Sequence, residues 1–417
     1  MSGECYPKYK PTGIAWLPEV PEGWECAKVS QHFKLRSEKV SERDYPALSV
    51  AKQGIVPQLE DVAISLAEGD TRKLVRKGDY VVNSRSDRKG SCGIAPRDGS
   101  VTTISIVLEP RNVVQMFIHY LFRSHHWIEE FYRHGRGIVA DLWTTNYQQM
   151  KGMQFPLPPT PIQCAIVAYL DEKCGKVDRL VAAKEKEAAL LKELKQSMIA
   201  EAVTHGVRPK RRLVLSGIPW LPEVPEGWEL RKMKYLFVEK SDKGHPDEQP
   251  LCSTQAYGVI PQSLYENRVV VVNKEGLGQL KLVKVGDFVI SLRSFQGGIE
   301  IAHYQGIISA AYTILEPRDE KCSPYFRYLF KSHNFIQLLQ TCVTGIREGQ
   351  NINYPLLSRK FIPVPPLDEQ REIVAHIEAR AAKIDAAVKG LEREVAALKE
   401  YKQRLIADVV TGQRKVA

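Results

Sequence analysis

Arg85, Arg88 and Lys89 crowd into the stretch NSRSDRKGS (83–91), among serines and beside a glycine. A guanidinium fork pairs bidentately with a phosphate or with the edge of guanine, while ammonium and hydroxyl groups suit phosphate oxygens. In the second half of the chain, SLRSFQGG (291–298) offers Arg293, Ser294 and Gln296, and a Gln amide matches the edge of adenine. A second set comprises Arg136 in RHGRG (133–137) with Arg347, Gln350 and Asn351 in GIREGQNIN (345–353). These groups suit recognition of a polyanion with readable edges rather than bond making or breaking. A solvated hairpin tip would use the same residue types, and Asn351 and Asn353 suit a turn equally well.

Sequence patterns for catalysis are missing. There is no G-x-x-x-x-G-K-[ST] phosphate loop, no G-x-S-x-G elbow and no H-E-x-x-H pair, and the GLG at 276–278 is too short for a dinucleotide fingerprint. The eight cysteines are scattered without a C-x-x-C pair, which argues against a zinc site and against a disulfide framework. His125 and His126 lie in an aromatic-rich stretch where packing explains them better than metal ligation. The Glu193/Lys195 and Glu400/Lys402 pairs read as solvated charges. No apolar run reaches the roughly 18 residues that span a bilayer, and the start lacks a signal-peptide core, so a cytoplasmic protein with no membrane contact is expected. The net charge of +10 favours a polyanionic partner. Residues 26–158 carry 19 Lys and Arg against 14 Asp and Glu, and residues 230–365 carry 17 against 12.

Those equal balances reflect a duplication. IAWLPEVPEGWE (14–25) returns as IPWLPEVPEGWE (218–229), eleven of twelve residues alike. At offsets of 204 to 208, KGDYVVNSRS answers VGDFVISLRS, YLFRSH answers YLFKSH, FPLPP answers IPVPP, and KQSMIAEAVTHG answers KQRLIADVVTGQ. Each half runs from the Trp phrase through about 130 residues of short β-branched stretches to a proline brake and a long helix. DYVVNS (79), SVTTISIVL (100), RVVVVN (268) and DFVISL (287) read as strands, and one helix is predicted in each block, over QMFIHYLFRSHHWIEEFY and YFRYLFKSHNFIQLLQ. The Trp phrase itself reads as a stiff turn with large apolar anchors, the entry clasp of each block.

In the second long helix Ile377, Ile384, Leu391, Leu398 and Leu405 recur every seven residues, with Ala381, Val388, Val395 and Val409 four residues after members of that row. The first repeats the pattern with Leu170, Val177, Leu191 and Met198, interrupted only by Lys184. A seven-residue apolar period calls for a supercoiled partner, and each helix is the other's nearest match in length. Some 40 helical residues extend roughly 60 Å, enough to hold two domains apart.

With these features assembled, the chain resembles the specificity subunits of type I restriction–modification systems. The resemblance rests on IPWLPEVPEGWE, GDFVIS, YLFKS and above all GIREGQNINYPLLSRKFIPVPPLDEQREIVAHIE (345–378), a Gly/Gln/Asn loop leading through Pro-Pro-Leu-x-Glu-Gln into the helix. The first half departs from this pattern: it keeps Pro158, Pro159 and Gln163 but has Ile162 where the second has Glu369. The resemblance implies an α+β fold made by tandem duplication of a target-recognition domain and a long helix. The two helices would pair as an antiparallel coiled coil with pseudo-twofold symmetry. The expected parts are recognition domains at 1–158 and 218–364, spacer helices at 159–205 and 365–412, and a linker at 206–217. It further implies a subunit without catalysis of its own that reads a bipartite, asymmetric double-stranded DNA target. Partners would be modification (methyltransferase) subunits, two in number, and ATP-dependent restriction subunits. S-adenosylmethionine, ATP and magnesium would be held by those partners and none by this chain. The alternative is a coiled-coil scaffold that separates two protein-binding domains and never touches DNA.

Overall fold

The computed structural model describes residues 5–58, 71–137, 143–265, 274–344 and 351–416. They form two compact units, Met1–Glu185 with Arg393–Ala417, and Lys186–Glu392. This partition differs from boundaries drawn at the ends of the helices, because each unit completes its core with parts of both.

In the first unit the strands Cys92–Ile94, Tyr80–Asn83, Ser105–Pro110 and Phe33–Arg36 lie side by side in that order, all antiparallel. Both faces of this sheet are buried at its centre, which is why Tyr80–Asn83 and Ser105–Pro110 carry continuous apolar runs rather than alternating ones. Tyr80, Val82, Ile106 and Leu108 face a large core with Phe33, Phe122, Trp127 and Phe155. Val81 and Val107 face a smaller core with Leu48, Ile55, Val75 and Val101. That smaller core carries a three-stranded sheet and the hairpin Leu48–Ala51/Gly54–Pro57. The second unit repeats the plan with Glu300–Ile301, Phe288–Ile290, Thr313–Pro317 and Phe237–Lys240 in the same spatial order. Phe288, Ile290 and Leu315 face one core, and Val289 and Ile314 the other. The expected strand at 268–273 lies outside the described residues.

Three local readings change. The predicted single helix of each block is two: Gln115–Phe122 and His125–Arg133 in the first, Ser323–Leu329 and His333–Gln340 in the second. The break comes from Ser124 and Ser332. Each hydroxyl donates to the carbonyl three residues back and accepts from the backbone N–H three residues on, ending one helix and capping the next. The Trp phrase is more than a turn. It supplies the second strand of an antiparallel hairpin, Tyr9–Ile14/Leu17–Pro21 and Leu213–Ile218/Leu221–Pro225. The strand from Leu213 therefore falls in a segment expected to be linker.

The long helices span Thr160–His205 and Leu367–Val410. Their seam alternates steps of four and three residues. Leu170, Val177 and Met198 are buried in the first helix, Ile377 and Leu405 in the second, while Leu191, Ile384, Leu391 and Leu398 are half-buried. In the first unit Leu170 and Cys174 share a core with Leu405 and Val409. In the second, Met198 and Ala202 share one with Ile373 and Ile377. The start of one helix thus meets the end of the other within each unit, and the pairing is antiparallel. Lys184, Lys195 and Lys402 also occupy seam positions, so the last two are not the solvated charges their Glu-x-Lys context suggests. Lys195 reaches Asp385 at 2.6 Å and Lys402 reaches Asp178 at 2.7 Å, while Lys184 bonds Glu394. Outside the seam Lys192 pairs with Glu392 at 2.9 Å and Lys399 with Glu185 at 2.8 Å.

The shared Gly-Asp turn shows how the copies diverge. Asp79 accepts the N–H of Arg76, and Asp287 that of Lys284, each at 2.8 Å. Asp79 also takes a two-pronged bond from Arg36 at 2.7 and 3.1 Å. The residue equivalent to Arg36 is Lys240, which bonds Glu316 instead. Burial then pushes the Asp287 carboxyl above its usual range.

Two expected outcomes follow from this packing. Ile377→Lys should cost about 3 kcal/mol or more in urea unfolding, because it buries an unpaired charge. Leu391→Lys should cost about 1 kcal/mol or less, since a half-buried seam lysine already exists at Lys184; equal losses would contradict the seam described. At neutral pH Asp79→Asn should cost about 1–3 kcal/mol, because Arg36 keeps only its longer contact to Glu109, whereas Asp287→Asn should be neutral or stabilising. The sign follows from linkage: a raised carboxyl pKa makes the folded state bind the proton more tightly. Its contribution is present at low pH and is lost as pH rises through that raised value. Asp287→Asn should flatten that part of the stability profile.

Candidate nucleic-acid interface

In the first unit an open cleft of about 820 Å³ lies between the hairpin Leu48–Ala51/Gly54–Pro57 and the loop after strand Tyr80–Asn83. These segments lie apart in the sequence, and the fold brings them together. Lys52 and Gln53 form the exposed hairpin turn, Arg85 and Arg88 come from the loop, and Ile104 adds an exposed apolar edge. Arg85 is half-exposed, with its Nε 2.9 Å from Asp87, and its backbone is held by Asn83 Oδ1 at 3.1 Å. Arg88 has 68% of its side chain exposed and only a long 3.7 Å approach to Asp87, so it is freer to meet a ligand.

Lys89 does not join the cleft. It turns to Glu129 at 3.0 Å and lies 5.8 Å from the centre of the Tyr132 ring, lining a neighbouring groove with Trp16 and Trp143. Arg136, expected in a separate cluster, is drawn near Arg85 because Thr144 forms a β-bridge with each. Its backbone N–H and carbonyl are used by Thr144, both at 3.1 Å, and its side chain is exposed. The neighbouring Arg133 is occupied: it grips Glu130 at 2.7 and 2.8 Å and holds that carboxyl below its usual range.

In the second unit the hairpin Leu251–Thr254/Gly258–Pro261 ends in an exposed tip, Gln255-Ala256-Tyr257. Arg293 and Gln296 are exposed at the short helical turn Ser294–Gly297 that follows the strand Phe288–Ile290. Ser294 is not a contact residue. It is 2% exposed, and its Oγ accepts the N–H of Ser291 at 2.8 Å, which closes the turn on which Arg293 and Gln296 stand. Asn351 is exposed on the short ladder Val343–Thr344/Asn351–Ile352, while Asn353 caps the helix Tyr354–Leu357 by accepting from Leu356 N–H at 3.0 Å. Arg347 and Gln350 lie outside the described residues. Sequence reasoning missed Lys52 and Gln53; a two-residue polar turn followed by glycine between β-branched stretches was the available signal.

The Pro-Pro-Leu-x-Glu-Gln motif is structural. Gln370 Nε2 donates to Pro365 O at 2.8 Å, and Gln163 Nε2 to Pro158 O at 2.7 Å, so each amide locks the proline brake to its helix. Glu369 is fully buried and bonds Arg211 at 2.7 Å, while Arg208 bonds Asp368 and Glu372 at 2.6 and 2.8 Å. Among the described residues no cluster of three or more His, Cys, Asp or Glu is placed to hold a metal ion, and no helix is long and apolar enough to cross a membrane.

Residues 225–395 match the family model described as the type I restriction modification DNA specificity domain. The chain is 26% identical over 285 residues to the putative type I restriction enzyme MjaX specificity subunit of Methanocaldococcus jannaschii, covering 65% of this chain and 61% of that protein. It is 24% identical over 289 residues to the type I restriction enzyme EcoBI specificity subunit of Escherichia coli, covering 62% and 58%. The alignments thus span about three fifths of the length of these curated relatives. A chain from a solved structure of a type I R-M system superposes with a TM-score of 0.67 at 17% identity, covering 95% of this chain and 99% of that one, which establishes the shared fold. The chain is thus similar to type I restriction enzyme specificity subunits, and its residues 225–395 match their DNA specificity domain.

Proposed function

We propose that this chain is the sequence-specific DNA-binding subunit of a type I restriction–modification complex. It has no catalysis of its own, and its two units read the halves of a bipartite, asymmetric duplex target. One observation carries the reading. The units share strand order, serine caps and helix ion pairs, whereas the side chains on their exposed tips differ: Lys52, Gln53, Arg85 and Arg88 in one, Gln255, Tyr257, Arg293 and Gln296 in the other. Equal frames with unequal tips suit two half-sites of different sequence. Basic and amide groups supply phosphate and base-edge contacts of the kind such reading needs, and the relatives' names point the same way. The long helices set the spacing of the half-sites and dock two methyltransferase subunits, with restriction subunits joining the assembly. S-adenosylmethionine, ATP and magnesium sit on those partners, in the cytoplasm.

The test is duplex binding by the chain assembled with its modification subunits, measured against salt. A steep fall of affinity with salt and one bipartite preferred sequence are expected. Arg85→Ala/Arg88→Ala should relax specificity in one half-site, and Arg293→Ala/Gln296→Ala in the other, by about 1–3 kcal/mol per lost base contact. Binding that is indifferent to sequence would overturn the proposal.

A further inference from the structure

The hairpin tips that differ between the copies are held by a residue the copies share in position. Within YLFRSH and YLFKSH, Arg123 and Lys331 stand at the break between the paired helices. Arg123 Nη2 donates to the main-chain carbonyl of Lys52. Lys331 Nζ donates to the main-chain carbonyl of Gln255 at 3.2 Å and to that of Gly297 at 3.0 Å. It also pairs with the buried carboxylate of Glu300. Both units thus send a cation from the same helix break to the same place, the turn of the hairpin. The acceptor is a backbone oxygen, which every residue type provides. Such an anchor fixes the pose of the tip yet is indifferent to the side chain there, so Lys52-Gln53 and Gln255-Ala256-Tyr257 are held alike. The approach is close in the second unit: a Cβ on Gly297 would lie 2.5 Å from the Gln255 side chain.

We propose that Arg123 and Lys331 are equivalent positioning residues, anchoring a variable reader hairpin through its main chain so that the tip side chains discriminate the bases of each half-site. This rests on the DNA-reading function proposed above. Precise placement matters because base-edge contacts lose discrimination when their geometry is loose. The copies themselves show that Arg and Lys both serve, since either can reach a carbonyl.

The experiment uses the full chain assembled with its modification subunits. Competition binding at fixed salt compares the preferred duplex with duplexes substituted in one half-site at a time. Arg123→Met should reduce discrimination in one half-site by about tenfold, within the range that one mismatched base pair commands, and leave the other within about twofold. Arg123→Lys should restore it. In the second unit Lys331→Met/Glu300→Gln, which removes the cation together with its buried partner charge, should weaken discrimination in the opposite half-site only, and Lys331→Arg should retain it. Thermal unfolding of the same samples separates these effects from collapse of a unit, which would abolish binding rather than relax one half. Undiminished discrimination in Arg123→Met, or equal loss in both half-sites, would overturn the positioning role while the DNA-reading function stands. A wild-type complex with no sequence preference would overturn both.

Discussion

Each unit closes on one contact: the ring of a tryptophan laid against the glycine that ends a long helix. Trp24 packs against Gly412, where an added Cβ would lie 3.2 Å from the ring and 2.4 Å from Pro21 Cδ. Trp228 packs against Gly206, where the corresponding distance to the ring is also 3.2 Å. Both glycines have positive φ, 78° and 75°, so a side chain there would meet both strain and collision. The Trp phrase therefore recurs because each long helix must be ended and covered in the same way. In the second unit the covering hairpin follows its glycine directly along the chain. In the first, the hairpin comes from the beginning of the sequence and the glycine from near its end, and Tyr9 bonds the carbonyl of Gly412 at 3.0 Å.

The Pro-Pro-Leu-x-Glu-Gln motif is whole in one copy and altered in the other, and the contacts at the two helix starts differ accordingly. Where the chain runs on from Gly206, the segment carries Arg208 and Arg211, and the first turn of the second helix meets them with Asp368, Glu369 and Glu372. Acidic residues are favoured at a helix N-terminus in any case, so the turn serves two ends. Glu369 is tolerable in full burial because Arg211 accompanies it. At the first helix the residues after Gly412 make different contacts, with Arg414 5.9 Å from the centre of the Tyr169 ring. The counterpart of Glu369 there, Ile162, packs against the core. Gln163 stays, because it holds the brake at Pro158 and accepts from the N–H of Val114 at 2.9 Å, where the helix Gln115–Phe122 begins.

Much of this was legible in the residues. The duplication, the heptad rows and the β-branched runs specify two like units and a helix pair, because hydrophobic periodicity survives without knowledge of partners; the antiparallel sense of that pair was implied only by the resemblance. What escaped depends on atoms far away in sequence or on one local bond. A single hydroxyl at Ser124 or Ser332 splits a helix that composition leaves continuous. Lys195 and Lys402 look solvated until Asp385 and Asp178 stand opposite them. Arg85, Lys89 and Ser294 share a polar vocabulary, yet the first lines a cleft, the second turns to Glu129 and the third closes a turn. Residue type names the chemistry a side chain can do; only the backbone tells which way it is aimed.

The ion pairs along the helices show how a duplicated sequence keeps its register. Lys195–Asp385 and Lys402–Asp178 are the same pair formed from opposite copies, as are Lys192–Glu392 and Lys399–Glu185. Pairs whose carboxylates are more than half exposed, as all four are, contribute at most about 1 kcal/mol each, so the apolar seam, not the charges, holds the helices together. An apolar seam with a seven-residue repeat is, however, nearly unchanged by a slip of one heptad. Such a slip would leave Lys195 and Lys402 half-buried without their carboxylates, and the cost falls on every misaligned pair at once. Register is thus set by the residues that contribute least to affinity, and it fixes which parts of the two helices complete each core.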